Sequence, residues 1–363
     1  MTTAPKVPPA KLVRVVERVR HVLGRAHQRS APPAAAMLEM ILGGWRAQGI
    51  AAAAQLKVAD ALADGPLRID ELARRVDADP DALARLLRAL ISEGVFAQRR
   101  DGRYALNALA DTLRSGGPMS VSGMARLVGS PEHRTHWSHL ADAVRTGEAV
   151  PPKLYGMSAW DYIEQHPELA AIFNDAMTSM SELAVDPLVA GYDWSQHQTI
   201  IDVGGGHGRL LAAIIAATPG AEGVLYDLPQ VVEGAPELLR KHGVADRVRT
   251  AGGSFFEAVP EGGDAYLLKT VIHDWRDAEA VAILSNVRKA AKPGTTLLLA
   301  EFVIPEHNQG FVGKWTDMEM LVQAGARERT ADEYRKLYEQ AGFQMTRVVP
   351  TAAPISLVEG RAV

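Results

Sequence analysis

The strongest pattern of apolar and polar positions lies between residues 199 and 227. A β-branched run, Thr199-Ile200-Ile201-Asp202-Val203, predicts a strand. Four glycines then crowd into Gly204-Gly205-Gly206-His207-Gly208 and predict a tight turn. The apolar, alanine-rich residues 209–218, stopped by Pro219-Gly220, predict a helix. Residues 223–226 predict a second strand that delivers Asp227 at its end. The alternation continues downstream, with helices expected over 229–242, 277–291, 314–322 and 331–341. Strands are expected over 248–251, 264–269, 295–302, near 344–349 and over 355–359. Strands separated by helices imply a mostly parallel sheet covered on both faces, with ligands at the strand C-termini.

Upstream, residues 37–62 are too densely apolar for a one-sided surface helix, which predicts a helix pair buried on several faces and forming a dimer. Helices over 69–76 and 81–91, joined at Asp77-Ala78-Asp79-Pro80, precede a hairpin over 95–106 that turns at Asp101-Gly102. That is a winged-helix outline. Residues 68–100 hold seven arginines and six acids, however, and a groove-reading surface should be clearly basic. A packing or dimerisation module with no nucleic-acid partner is expected. Residues 120–190 read as helical and carry Trp137, Trp160, Phe173 and Met177, which are core candidates that can also line an adaptable pocket for a flat substrate. His133, His136 and His139 drift around a helix in steps of three with no supporting carboxylate, so no metal is expected. Residues 1–34 carry Lys6, Lys11, Arg14, Arg18, Arg20, Arg25 and Arg29 against Glu17, and read as an arm on a partner subunit or a loose tail, with a basic amphipathic helix on an anionic surface as the alternative.

Composition narrows this picture only a little. The 363 residues, 47% of them hydrophobic, suffice for two domains. The net charge of −4 gives no general attraction to nucleic acid, and the absence of cysteine excludes thiol catalysis and thiolate metal sites. No apolar run approaches the ~20 residues that span a bilayer, and no signal-peptide pattern opens the chain, so a cytoplasmic protein is expected.

The glycine turn lets the backbone adopt positive φ and a ligand approach closely, with free N–H groups at the helix start. The third glycine is one residue early for a dinucleotide fingerprint. Asp202 adds a carboxylate suited to an ammonium group, and Asp227 is placed to accept from a ribose diol. This acid-x-G-x-G-x-G pattern with a second-strand acid resembles the motif of class I S-adenosylmethionine-dependent methyltransferases. Lys269, His273, Asp274 and Trp275 follow the fourth strand, Glu301 is expected to end the fifth, and Glu328 lies within residues 325–330, which puts the two acids at neighbouring loop positions. A neutral imidazole held by a carboxylate could deprotonate a hydroxyl near pH 7.

Across residues 35–360 the chain resembles the two-domain O-methyltransferases of the caffeic-acid, acetylserotonin and bacterial natural-product type. The resemblance rests on AVRTGEA (143–149), FNDAM (173–177), DVGGGHG (202–208), YDLPQVV (226–232), GGSFFEAVP (252–260), DAYLLKTVIHDW (264–275), LLLAEFVIPE (297–306) and GARERT (325–330). It implies an α/β fold, with a Rossmann-like class I methyltransferase sheet and an N-terminal, mostly helical winged-helix dimerisation domain. The expected parts are a basic arm (1–34), a dimerisation domain (35–118), a helical substrate-pocket region (119–190) and a domain for S-adenosyl-L-methionine (191–363). By the same resemblance His273 is the general base, oriented by Glu301 and Glu328. Gly204, Gly206, Asp227 and Lys269 contact the cofactor, while Phe255 and Trp275 pack by its adenine. Ser254 stands where many members have Asp, a change that could weaken cofactor binding by about 1 kcal/mol. The implied activity is methylation of an aromatic or polycyclic hydroxyl by a homodimer. The competing expectations are a methyltransferase-like hydroxylase or decarboxylase, and a ligand-sensing regulator.

Overall fold

A computed structural model of the chain describes residues 7–117 and 119–363, so Lys6 of the arm and Pro118 lie outside the described residues. The chain forms two compact units. One takes the residues up to His21, Ala141–Leu154 and Leu183–Val363; the other takes Val22–Leu140 and Tyr155–Glu182.

The first unit is built on a sheet in which Thr199–Val203 is central. Glu222–Asp227 and Val248–Gly252 lie to one side. Ala265–Lys269, Thr296–Ile304, Ile355–Ala362 and Phe343–Pro350 follow in that order on the other. The first five strands of the chain order pair in parallel, and Ile355–Ala362 runs antiparallel to both its neighbours. Parallel strands are covered on both faces and therefore read as continuous apolar runs. Ile200, Leu225, Leu267 and Leu298 pack with helix Arg209–Ala217 on one face. Ile201, Val203, Tyr266, Leu268 and Leu299 pack with helices Asp277–Ala290 and Ala331–Gln340 on the other. The strand order reverses beside Thr199–Val203, which opens a crevice at the strand C-termini.

Two expectations in this unit change. The helix over 229–242 is split into Pro229–Val232 and Ala235–Lys241, because Pro236 has no N–H to continue the hydrogen-bond ladder. Glu301 does not end its strand. The strand runs on to Ile304, because Val303 and Ile304 pair in parallel with Arg329 and Thr330.

In the second unit, helices Ile69–Arg75 and Pro80–Ser92 and the strands Ala97–Gln98 and Tyr104–Ala105 give the winged-helix outline. Asp79 caps its helix by accepting from the Ala82 N–H at 2.8 Å. Leu62, Leu72, Leu83, Leu87, Leu90 and Phe96 form the core. The expected pair of helices over 37–62 is one helix, Pro33–Gln55, followed by a single turn, Val58–Ala61. Lys57 at φ 54° stops the long helix and turns the chain. This helix is not buried on several faces within the chain: Met37, Leu38, Ile41 and Trp45 are exposed, Trp45 by 74%. Helix Ala10–Arg29 buries none of its residues.

The segment over 120–190 is helical throughout its main elements, from Ser122–Val128 to Pro167–Gly191. Its pocket candidates do not form core. Trp137 and Phe173 are half-buried and Trp160 and Met177 are exposed, with Trp160 edge-on to Phe173 at 5.6 Å. Among the described residues no helix is long and apolar enough to cross a membrane.

Candidate active site

The glycine turn leaves the central strand at the crevice. Gly204 has φ 70° and its N–H donates to the Tyr226 carbonyl at 2.8 Å, which ties the turn to the second strand. A Cβ at Gly204 would stand 2.8 Å from Val271 and 3.7 Å from the ring of Phe255, so the phenylalanine expected beside the adenine packs against this turn. A Cβ at Gly206, with φ 60°, would meet open space, the side from which a ligand can approach the backbone. Asp227 is the last residue of its strand. Its Oδ2 accepts from Gly206 N–H at 2.8 Å and its Oδ1 from Leu228 N–H at 2.7 Å. Asp202 is 1% exposed, and its Oδ1 is buried with no hydrogen-bond partner among the described residues. Burial raises its pKa to about 7, with Lys269 opposing the shift. A buried carboxyl of this kind calls for a donor that the chain itself does not supply. The open backbone at Gly206, the orphaned Asp202 oxygen and the strand-end Asp227 together fit a nucleoside that carries an amino-acid tail.

Nearby, Ser254 Oγ accepts from Phe256 N–H at 3.3 Å and so serves its own turn. Trp275 is edge-on to Phe256 at 4.7 Å and to Phe255 at 6.1 Å, which closes an aromatic cluster beside the third and fourth strands.

His273 lies in the 3-10 turn Ile272–Asp274, one short step beyond the strand Ala265–Lys269, and is buried. Its Nδ1 is 2.8 Å from Glu328 Oε1 and 4.0 Å from Glu301 Oε2. Glu301 Oε1 accepts from the N–H groups of Val271 and Ile272 at 3.2 and 2.9 Å, which anchors the turn to the fifth strand. The three expected catalytic residues therefore meet. They are also the one close-set trio of possible metal ligands among the described residues, here engaged as an imidazole and two carboxyls. Of the three upstream histidines, His136 is buried and paired with the Tyr155 hydroxyl at 3.1 Å.

Two features were not expected. Asp274 Oδ1 lies 3.4 Å from His273 Nε2, the ring nitrogen opposite the one on Glu328. Burial pulls the imidazole's pKa down, but Asp274, Glu301 and Glu328 outweigh it and raise it to about 10. The three carboxyls thus favour the imidazolium, whereas a neutral imidazole is the form expected of a base. Burial raises Glu301 to about 7. The second feature is Arg329, fully buried behind the turn. Its place in GARERT was visible in the sequence, but nothing there separates a buried arginine from an exposed one.

The comparisons with known proteins agree with this geometry. Residues 137–344 match the family model described as the O-methyltransferase domain, and residues 38–116 match the O-methyltransferase dimerisation domain. The chain is 41% identical to the phenazine O-methyltransferase of Lysobacter antibioticus, over 92% of this chain and 98% of that one. It is 38% identical to the mitomycin biosynthesis 6-O-methyltransferase of Streptomyces lavendulae, over 89% and 93%. The crystal structure of human N-acetylserotonin methyltransferase in complex with S-adenosylmethionine superposes with a TM-score of 0.83 at 28% identity, over 92% of this chain and 99% of that one. A dimerisation domain, a glycine turn flanked by Asp202 and Asp227, and a buried His273–Glu328 pair at the same sheet edge lead to one conclusion: the chain belongs to the O-methyltransferase family and is an S-adenosyl-L-methionine-dependent enzyme.

Proposed function

We propose that the enzyme methylates a hydroxyl of an aromatic or polycyclic small molecule, with His273 as the general base and Glu301 and Glu328 as the acids that orient it. The observation that carries this reading is the 2.8 Å contact of His273 Nδ1 with the buried Glu328, directly after the fourth parallel strand. A carboxylate on Nδ1 fixes the tautomer in which Nδ1 keeps its proton and Nε2 offers its lone pair to the acceptor hydroxyl. The acceptor proton moves to Nε2, and Asp274 takes up the resulting N–H. S-adenosyl-L-methionine, when bound, supplies an electrophilic methyl on a cationic sulfur. Asp202, Gly204, Gly206, Asp227, Ser254, Phe255, Lys269 and Trp275 hold it, with Asp227 at the ribose, Asp202 toward the ammonium and the aromatic cluster at the adenine. Beside a second positive charge the His273 imidazolium gives up its proton more readily, which supplies the neutral base. Trp137, Trp160, Phe173 and Met177 supply apolar surface for a flat acceptor. The names of the relatives, which act in phenazine and mitomycin chemistry, support an aromatic or polycyclic acceptor.

The pH dependence tests the base. With the imidazole raised to about 10, its neutral fraction grows as pH rises from 7, so kcat/KM increases toward alkaline pH. Glu328→Gln removes a carboxylate that favours the imidazolium, and the rise moves to lower pH. A pH profile that stays flat between neutrality and the alkaline limb, in both proteins, rules out His273 as the group that titrates.

The chain's division of labour follows the same reading. Of the described residues, those within 35–118 form the homodimer, those from 7 to 34 serve as an arm on the partner, those within 119–190 carry side chains that recognise the acceptor, and 191–363 bind the cofactor. Met37, Leu38, Ile41 and Trp45 stand exposed on one helix at the start of the matched dimerisation segment, and a second copy would cover them. The double variant Ile41→Glu, Trp45→Glu should sediment as a monomer where the parent sediments as a dimer. A dimer that survives both charges places the interface elsewhere.

A further inference from the structure

We infer that Arg329 is the positioning residue of the site: its guanidinium fixes the main chain on both sides of His273, and so sets the imidazole against Glu328. This inference rests on the reading of His273 as the base. Arg329 is 0% exposed, which is costly for a charge unless every donor is used. Every donor is used. Nη1 donates to the Ile272 carbonyl at 3.0 Å and to the Arg327 carbonyl at 3.4 Å. Nη2 donates to the Trp275 carbonyl at 2.7 Å and to Asp277 Oδ1 at 2.8 Å, and Nε donates to the same oxygen at 3.0 Å. These are the five N–H groups of one planar fork.

The partners explain what the fork does. Ile272 and Trp275 bracket His273 and Asp274, so two carbonyls of the turn are held by one rigid plane. Arg327 N–H in turn donates to the His273 carbonyl at 3.3 Å, and Glu328 N–H to Asp317 Oδ1 at 2.9 Å. The segment 327–329 therefore grips the main chain of the base from either side of Glu328, the residue that takes its Nδ1. Pairing of Arg329 and Thr330 with Val303 and Ile304 ties that segment to the strand that carries Glu301. Histidine, both acids and the turn are brought into one register through a residue that touches none of the reacting atoms.

Lysine has three donors on a flexible stem and cannot span two carbonyls and a carboxylate at once. Arg329→Lys should keep most of its S-adenosylhomocysteine affinity, because the fork holds Trp275 by its carbonyl while the indole stays packed on Phe255 and Phe256, and Gly206 and Asp227 lie elsewhere on the sheet edge. Its kcat should fall by about 100-fold, the size expected for a small misplacement of a reacting group, while KM for the acceptor stays put. Its alkaline rise in kcat should move in pH, because the contact of Nδ1 with Glu328 is loosened. Asp277→Asn, which keeps the shape but removes the charge on the fork, should show the same split in weaker form and decides the matter if the lysine variant fails to fold. His273→Ala is measured alongside. If it loses activity while a folded Arg329→Lys keeps the wild-type kcat and pH profile, or while Asp277→Asn does so when the lysine variant does not fold, the positioning role is wrong and the base stands. If His273→Ala keeps the wild-type rate, the base reading fails and this inference falls with it.

Discussion

His273→Ala lowers single-turnover methyl transfer to a hydroxylated aromatic by about 10²- to 10⁴-fold, the usual contribution of a positioned general base. Affinity for S-adenosylhomocysteine is unchanged, since the imidazole's partners are Glu328, Glu301 and Asp274, none of them a residue of the glycine turn. The loss falls in kcat, because proton removal is needed only as the oxygen attacks. Calorimetry with S-adenosylhomocysteine and rapid-quench transfer measure the two quantities separately. A variant that binds normally and transfers at the parental rate contradicts the assignment. The same substitution has a stability signature. The folded imidazole titrates near 10, above the ordinary histidine value of about 6.5. Its pairing with the acids thus contributes stability that is full below about 6.5 and is lost as pH rises through about 10. The stability gap between parent and variant should therefore be wider at neutral pH than in the alkaline range, which chemical denaturation at the two values would read.

Asp227→Ala should weaken S-adenosylhomocysteine binding by about 1.5–3 kcal/mol, roughly 10- to 150-fold in Kd, the size of a lost hydrogen bond to a charged acceptor. Two effects add. The strand-end carboxylate is the acceptor placed for a ribose diol, and it also pins the Gly206 N–H at 2.8 Å, so its removal frees the turn that must stay open to the ligand. Asp227→Asn separates them. An amide oxygen can still accept from Gly206 but brings no charge, and it should fall between the parent and the alanine variant. Equal affinity in all three proteins would remove Asp227 from the cofactor site.

The parts of the fold that were legible in the sequence are those fixed by local chemistry. The strand Thr199–Val203 and the glycine turn follow from a β-branched run and residues that tolerate positive φ, and Asp227 ends its strand as expected. His273 and Glu301 could be named because each falls at or near an expected strand end, and Glu328 because it lies in the motif at 325–330. Their meeting depends on the ladder between Val303-Ile304 and Arg329-Thr330, a pairing across the intervening residues 305–328 that no local pattern announces. The upward push on the His273 pKa was not legible for the same reason, since Asp274 and the two glutamates converge only in three dimensions. Trp160 and Met177 looked like core because apolar residues usually are, yet burial depends on what lies opposite, and both are exposed. Lys57 could not have been picked out as a helix stop, since lysine has no preference for positive φ.

The central claim is that one imidazole, gripped from behind by Glu328, takes the acceptor's proton beside the methyl donor. A crystal structure of the enzyme with S-adenosylhomocysteine and a hydroxylated aromatic acceptor tests it most directly. The account predicts the acceptor oxygen within about 3.2 Å of His273 Nε2, where Asp274 now lies, with Nδ1 still on Glu328. An acceptor oxygen bound to another side chain, with His273 still turned to Asp274, would contradict it.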